Sequence, residues 1–167
     1  MKAKEFKAYL ESMNPEVIVN SRLQGYGDYE TPEQGIPLRG PEGVWEFCTT
    51  INTSWGYRPS DNDYKTSKQI IRMFCDCLTL GGKMLLDVGP KEDGTLDERQ
   101  VKILEDLGTF IHDNEEAIYE TEKGISYDHS LEEVLCQQIK KCFICLFMTN
   151  LRKISSVERE LKLLVKK

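Results

Sequence analysis

Glycine, proline and tryptophan are all missing from the last 39 residues of this 167-residue chain, 129–167. That segment therefore lacks the residues that punctuate turns and loops. Its charge differs as well: 129–167 carries 8 Lys/Arg against 4 Asp/Glu, whereas 1–128 carries 14 against 24. The contrast predicts two parts, a domain over 1–128 and a basic, Cys-containing tail over 129–167 that is helical or poorly ordered. No apolar run approaches about 18 residues, which excludes a transmembrane helix and predicts no membrane partner. The N-terminal lysines are interrupted by Glu5 and followed by no apolar stretch, so they do not read as a secretory signal. An excess of positive charge is also lacking, and a net charge of −6 argues against nucleic acid.

Six cysteines are too few and too unevenly spread for a disulfide scaffold, and they are expected to be reduced and mostly buried. Cys142-x-x-Cys145 with Cys136 has only His129 nearby, which is a poor four-ligand zinc set. Neither metal nor cofactor is expected.

What is present concentrates between Trp45 and Tyr57, where both tryptophans fall. Trp45 to Thr50 is apolar and β-prone enough for a buried strand. Asn52 to Ser54 and Gly56 then break the strand and offer amide and hydroxyl groups beside an indole and a phenol. Aromatic faces next to such groups suit a sugar.

Elements before and after this run follow an α/β rhythm. Residues 1–13 read as a helix stopped at Asn14-Pro15. Val17 to Val19 reads as a strand buried on both faces, and 20–43, rich in Gly and Pro, as a long irregular loop. A helix is predicted over 64–80 with Ile70, Ile71, Phe74, Cys77 and Leu78 on one face, ended by Gly81-Gly82. Met84 to Val88 reads as a second buried strand. Thr95 with Glu98 reads as a capping box opening a helix that runs to about His112, with Val101, Leu104, Leu107 and Ile111 inward. In the tail, Leu131 to Phe147 could continue as a helix, and Val157, Leu161 and Leu164 form a second amphipathic stretch. Strands alternating with helices imply a parallel sheet, and the (β/α)8 barrel is one such fold, with its sites just after the strands. A whole barrel typically needs about 250 residues. This domain supplies about the last four βα units: a partial TIM barrel plus a helical tail.

Several segments in order carry a family resemblance: Val19-Asn20-Ser21-Arg22, Gly27 to Gln34, Trp45-Glu46, Ser54 to Tyr57, Gly81 to Pro90, Asp93-Gly94-Thr95 and Glu116 to Tyr119. Over about residues 1–127 the chain resembles the C-terminal half of the catalytic barrel of α-L-fucosidases of glycoside hydrolase family 29. It departs from the family's commonest pattern at Lys83 and Asp87, where asparagines are more usual, and again after residue 128.

The resemblance implies hydrolysis of terminal α-L-fucose from glycans with retention of configuration, and a fucosylated oligosaccharide or glycoconjugate as partner. Retention requires a nucleophile and an acid/base. Glu33 matches the acid/base, with Glu30 and Glu46 as rivals; the family's Trp-x-Asp-Gly nucleophile motif has no match here. Arg22 and Trp55 match substrate contacts, and Glu46 joins them. On residue chemistry alone Arg22 could equally pair with Asp28, Glu33 could be a solvated loop carboxylate, and Trp55 could be a core aromatic. The expectation is a fragment that lacks its nucleophile and is inactive alone, with self-association through open sheet edges. The alternatives are a non-catalytic remnant that binds fucosylated glycans, and an interaction module docking through its basic tail. Full-length relatives are secreted, periplasmic or lysosomal, which leaves the compartment open.

Overall fold

The computed structural model describes residues 2–119, together with the strand backbone of 121–122, 134–139 and 142–147. Helix α1 spans Ala3–Met13 and ends at Asn14, whose N–H reaches Leu10. No α1 residue is buried, and Phe6, Tyr9 and Met13 stay exposed.

Parallel pairing organises the strands after α1. Strand β1 (Glu46–Thr50) pairs in parallel with β2 (Lys83–Asp87), matching Glu46 to Lys83, Cys48 to Leu85 and Thr50 to Asp87. Parallel bridges extend the pairing on the other side of β1, from Glu30 to Trp45 and from Glu33 to Cys48, and then from Asn20 to Tyr29. The segment expected as an irregular loop thus contains strand-like backbone over 28–34. Its hydrogen bonds run from Asp28 N to Val19 O (2.7 Å), Glu46 N to Glu30 O (2.8 Å), Cys48 N to Pro32 O (3.0 Å) and Gln34 N to Cys48 O (2.8 Å). Pro32 is tolerated because it serves this ladder as an acceptor, so its missing N–H costs nothing there.

Two expected burials are corrected. Ile18 is 74% exposed and Leu85 is 48% exposed, although both sit in unbroken apolar runs. Among the described residues they lie on the two outermost parallel segments, where a side chain has neighbours on fewer sides.

Helix α2 (Ser67–Thr79) starts later than its apolar pattern suggests because Thr66 caps it. Gln69 N donates to Thr66 Oγ1 (3.2 Å) and Thr66 N donates to Gln69 Oε1 (2.7 Å), a reciprocal capping box. Its C-terminus closes on Gly81 at φ +82°, with Gly81 N reaching Leu78 O and Gly82 N reaching Cys77 O, both at 2.9 Å. That is a Schellman closure, which needs a left-handed residue and finds a glycine. Thr66→Ala is expected to cost about 1 kcal/mol in urea unfolding; an unchanged midpoint would show that the box contributes nothing.

Both sides of α2 are covered. Cys77 packs with Trp45, Phe47 and Leu80 on the sheet side, while Ile71 and Cys75 meet Phe110, Ala117 and Ile118 on the other. Those partners come from α3 (Glu98–Asp113) and the single turn α4 (Glu115–Ile118). Burial raises both thiols to about 12, so they behave as small apolar groups.

The cap of α3 also departs from expectation. Asp97 is the N-cap: its carboxylate accepts from Arg99 N (3.0 Å) and bidentately from the Arg99 guanidinium (2.8 and 3.0 Å). Thr95 instead donates its N–H and hydroxyl to Asp93 Oδ1 in a turn. Glu98 is therefore the first helical residue, two positions short of the N3 place a capping box requires, and Thr95 is not the cap. Ile103 and Phe110 point inward as Leu104 and Leu107 do, but Val101 is exposed.

Beyond α4, β3 (Thr121–Glu122), β4 (Val134–Ile139) and β5 (Cys142–Phe147) form an antiparallel sheet in that order. The helix expected over 131–147 is thus replaced by strands from residue 134. Their crowded apolar residues lack a clear 3.6-residue period, and Phe143, Ile144 and Phe147 are β-prone. The stretch around Val157, Leu161 and Leu164 lies outside the described residues, as do the side chains of Cys136, Cys142 and Cys145.

Candidate active site

Residues paired across a parallel ladder share a sheet face. On one face of β1 stand Phe47 and Thr49, both fully buried; Phe47 packs against Cys77 of α2. The other face carries Glu46, Cys48 and Thr50, joined by Lys83, Leu85 and Asp87 from β2 and by Glu33 opposite Cys48. Glu30, bridged to Trp45 three residues earlier, falls on the opposite face from Glu33. The register thereby places Glu33 and its rival Glu30 on opposite faces.

Arg22 is brought to this face by a turn in which its N–H donates to Asn20 Oδ1 (3.1 Å). Its guanidinium forms an ion pair with Glu33. The alternative pairing with Asp28 is not what forms: Asp28 accepts from Lys7 Nζ and from Val19 N, contacts that hold its carboxyl below the usual range, with Lys7 the larger influence. Both Arg22 and Glu33 are substantially exposed, so the pair organises the rim more than it stabilises the fold.

Glu33 sits beside a special backbone position. Gln34 has φ +61°, a conformation uncommon outside glycine, and its side chain lies within 3.3–3.4 Å of the Thr49 and Thr50 hydroxyls. These contacts fasten the turn after Glu33 to the end of β1. Half-buried Cys48 has its thiol raised, chiefly by burial and then by Asp87 and Glu46, with Arg22 opposing. Asp87 is also raised, through burial. Cys48 thus lies among charges, with Glu46 at the start of β1, Asp87 at the end of β2 and Arg22 paired to Glu33. No group of three His, Cys, Asp or Glu among the described residues is disposed to hold a metal.

The two tryptophans part company. Trp45 is 1% exposed and packs in the core, so close to Gly82 that a Cβ there would lie 2.4 Å from its ring. Trp55 is 47% exposed on the loop after β1. Reading the whole run as pocket fails for its first half, because strand alternation turns Trp45 inward with Phe47.

Sequence reasoning passed over Asp61 and Lys65, which brace that loop. Asp61, 7% exposed, accepts at Oδ2 from Asn52 Nδ2 (3.0 Å), Thr53 N (3.2 Å), Thr53 Oγ1 (2.8 Å) and Ser54 Oγ (2.8 Å). Lys65 Nζ donates to Thr50 O (2.6 Å), crowning the end of β1. The available signal was spacing: an aspartate shortly after an Asn-Thr-Ser run can gather its donors.

Known proteins are similar to this chain in sequence and in fold. The family model described as Alpha-L-fucosidase matches residues 1–116. An alpha-L-fucosidase of Dictyostelium discoideum is 32% identical over 129 residues, covering 71% of this chain and 28% of that protein. The human plasma alpha-L-fucosidase is 38% identical over 80 residues, 46% of this chain and 17% of that one. Among solved structures, alpha-L-fucosidase isoenzyme 1 from Paenibacillus thiaminolyticus aligns with a TM-score of 0.74 at 30% identity, covering 83% of this chain and 36% of that chain. The Thermotoga maritima alpha-fucosidase in complex with fucose aligns at 0.71 and 28%, covering 86% and 34%. The chain thus spans about a third or less of the length of these relatives. With a parallel α/β scaffold, a charged rim at its strand ends and residues 1–116 matched by the family's model, this chain belongs to the alpha-L-fucosidase family.

Proposed function

We propose that this chain forms part of the active site of a retaining α-L-fucosidase, supplying the acid/base and one wall of the sugar pocket. The observation that carries this reading is the Arg22–Glu33 ion pair, with Gln34 beside Glu33 fastened to the end of β1 from which the exposed Trp55 loop departs. Four parallel segments in sequence order support reading the scaffold as part of a (β/α)8 barrel, whose sites gather at the C-terminal ends of its strands.

In this reading Glu33 first donates a proton to the leaving oxygen and then takes one from water, while a second carboxylate attacks the anomeric carbon. A general acid must carry its proton, and a guanidinium contact favours the anion. Substrate therefore has to draw Arg22 away from Glu33, and a sugar hydroxyl accepting from Arg22 does so. Trp55 presents its ring to an apolar sugar face and Glu46 accepts from a hydroxyl. No residue of this chain is assigned the role of attacking carboxylate.

The purified chain is accordingly expected to give no turnover of 4-nitrophenyl α-L-fucoside, yet to bind L-fucose in calorimetric titration, with binding lost in Trp55→Ala. Turnover abolished by Glu33→Gln would show that the chain holds a nucleophile of its own. Absence of any fucose binding would sink the sugar-pocket reading altogether. Binding without turnover also fits the second reading, a glycan-binding remnant, which the open exposure of Trp55 favours. A fucose-configured iminosugar separates the two: its cation seeks the Glu33 carboxylate, so Glu33→Gln weakens its binding only if Glu33 faces the sugar.

A further inference from the structure

The loop after β1 is held by an unusual concentration of hydrogen bonds on one side-chain oxygen. Asn52, Thr53 and Ser54 are consecutive, and all three direct side-chain donors at Asp61 Oδ2, with the Thr53 N–H adding a fourth contact. Asp61 Oδ1 is occupied too, accepting from Asp63 N at 3.1 Å.

The carboxylate is itself fixed from several directions. Asp61 N donates to Arg58 O (2.9 Å). The neighbouring Asn62 accepts from Arg99 Nη1 at 3.0 Å, and the Arg99 guanidinium lies 4.0 Å over the Tyr64 ring, so the 61–64 segment is tied to the start of α3. From the other side Gly89 touches the loop: a Cβ there would fall 2.6 Å from Tyr57 N and 2.7 Å from Gly56 C. Trp55 lies between these two restraints in sequence, following Ser54 directly and preceding Gly56.

We propose that Asp61 is the positioning residue of the ligand wall, its carboxylate fixing the Asn52–Ser54 loop so that Trp55 is presented in one orientation to the sugar. The sugar part of this statement rests on the proposed role of Trp55 as a pocket wall; the positioning part stands on the loop alone. Charge matters because four donors converge on one oxygen, and an ionised acceptor makes stronger, shorter bonds than a neutral amide. Hydrogen bonds from Ser54 and then Thr53 hold Asp61 at about 2, so the anion persists across the neutral range. Lys65 and Asp63 are the other charged groups near it.

Asp61→Asn keeps the shape and removes the charge. Its effect is read on Trp55 by the near-ultraviolet circular dichroism difference between each protein and its Trp55→Phe counterpart, and by acrylamide quenching. The expected result is loss of the Trp55 dichroic band, easier quenching, and an L-fucose dissociation constant raised about tenfold. Should Asp61→Asn fail to fold, the double variant Thr53→Ala, Ser54→Ala removes donors from the loop side and is expected to give the same spectroscopic change, while Thr53→Ser preserves the parent signal. An unchanged Trp55 band and quenching in the folded variants would overturn the proposal. If the parent binds no fucose while the Trp55 signals still change, the sugar reading falls and the positioning role remains.

Discussion

Trp45→Ala is expected to remove about 3–5 kcal/mol of stability, the range for deleting a buried large aromatic. Trp45 is enclosed by Phe47, Cys77 and Leu80, with Ile36, Met73 and Met84 around them, and its ring lies directly on Gly82. Gly82 completes the helix closure and precedes β2, so the indole joins the end of α2 to both strands. Small domains have about 5–15 kcal/mol in all, and the loss takes a large share of it. Trp55→Ala, in the exposed loop, is expected to stay within about 0.5 kcal/mol of the parent. Urea unfolding of both variants checks the pair. Equal destabilisation would mean that Trp55 is also a core residue and that the sugar wall has been misplaced.

Gly89→Ala is the second large effect. The added methyl would meet Tyr57 N at 2.6 Å and Gly56 C at 2.7 Å, and backbone atoms cannot rotate away as a side chain can. Nor can Gly89 withdraw freely, since its N–H donates to Gln100 Oε1 (3.2 Å), a fully buried side chain on α3. Overpacking of this kind costs about 1–3 kcal/mol, and here the strain is expected to displace the Trp55 loop. Gly56→Ala has open space and serves as the control. Urea unfolding gives the energy, and amide exchange at Tyr57 reports the displacement; parent-like exchange in Gly89→Ala would show that the two loops do not constrain each other.

Much of the scaffold was legible because local chemistry and tertiary packing agreed. The apolar spacing Ile70, Ile71, Phe74, Cys77 and Leu78 marked α2, and Gly81-Gly82 its end, for reasons internal to a helix. The strand-like segment 28–34 is hidden in the sequence because its Asp, Glu, Pro and Gln residues carry no hydrophobic alternation. Backbone pairing with β1 and with Val19 makes it a strand, and that partner choice is not written in the segment itself. The tail was misjudged for a related reason: the crowded apolar run 142–147 suits either helix or strand until β4 is known to lie beside it.

For the site, the residue types were readable and their grouping was not. Glu30, Glu33 and Glu46 are chemically equivalent carboxylates. Parallel register puts Glu33 and Glu46 on one face and Glu30 on the other, because side-chain direction alternates along a strand. On residue chemistry Arg22 could pair with Asp28, but Lys7 on α1 occupies Asp28 and Arg22 meets Glu33 instead.

The family, the α/β rhythm and the presence of an aromatic, polar loop were thus determined by sequence alone, since motif order and local periodicity need no partner to be read. Tertiary structure decided which tryptophan is core and which is exposed, which glutamate meets the arginine, and that Asp61 gathers the donors of Asn52, Thr53 and Ser54. Each of those depends on register or on contacts between segments distant in the chain. Such contacts take their direction from the assembled sheet.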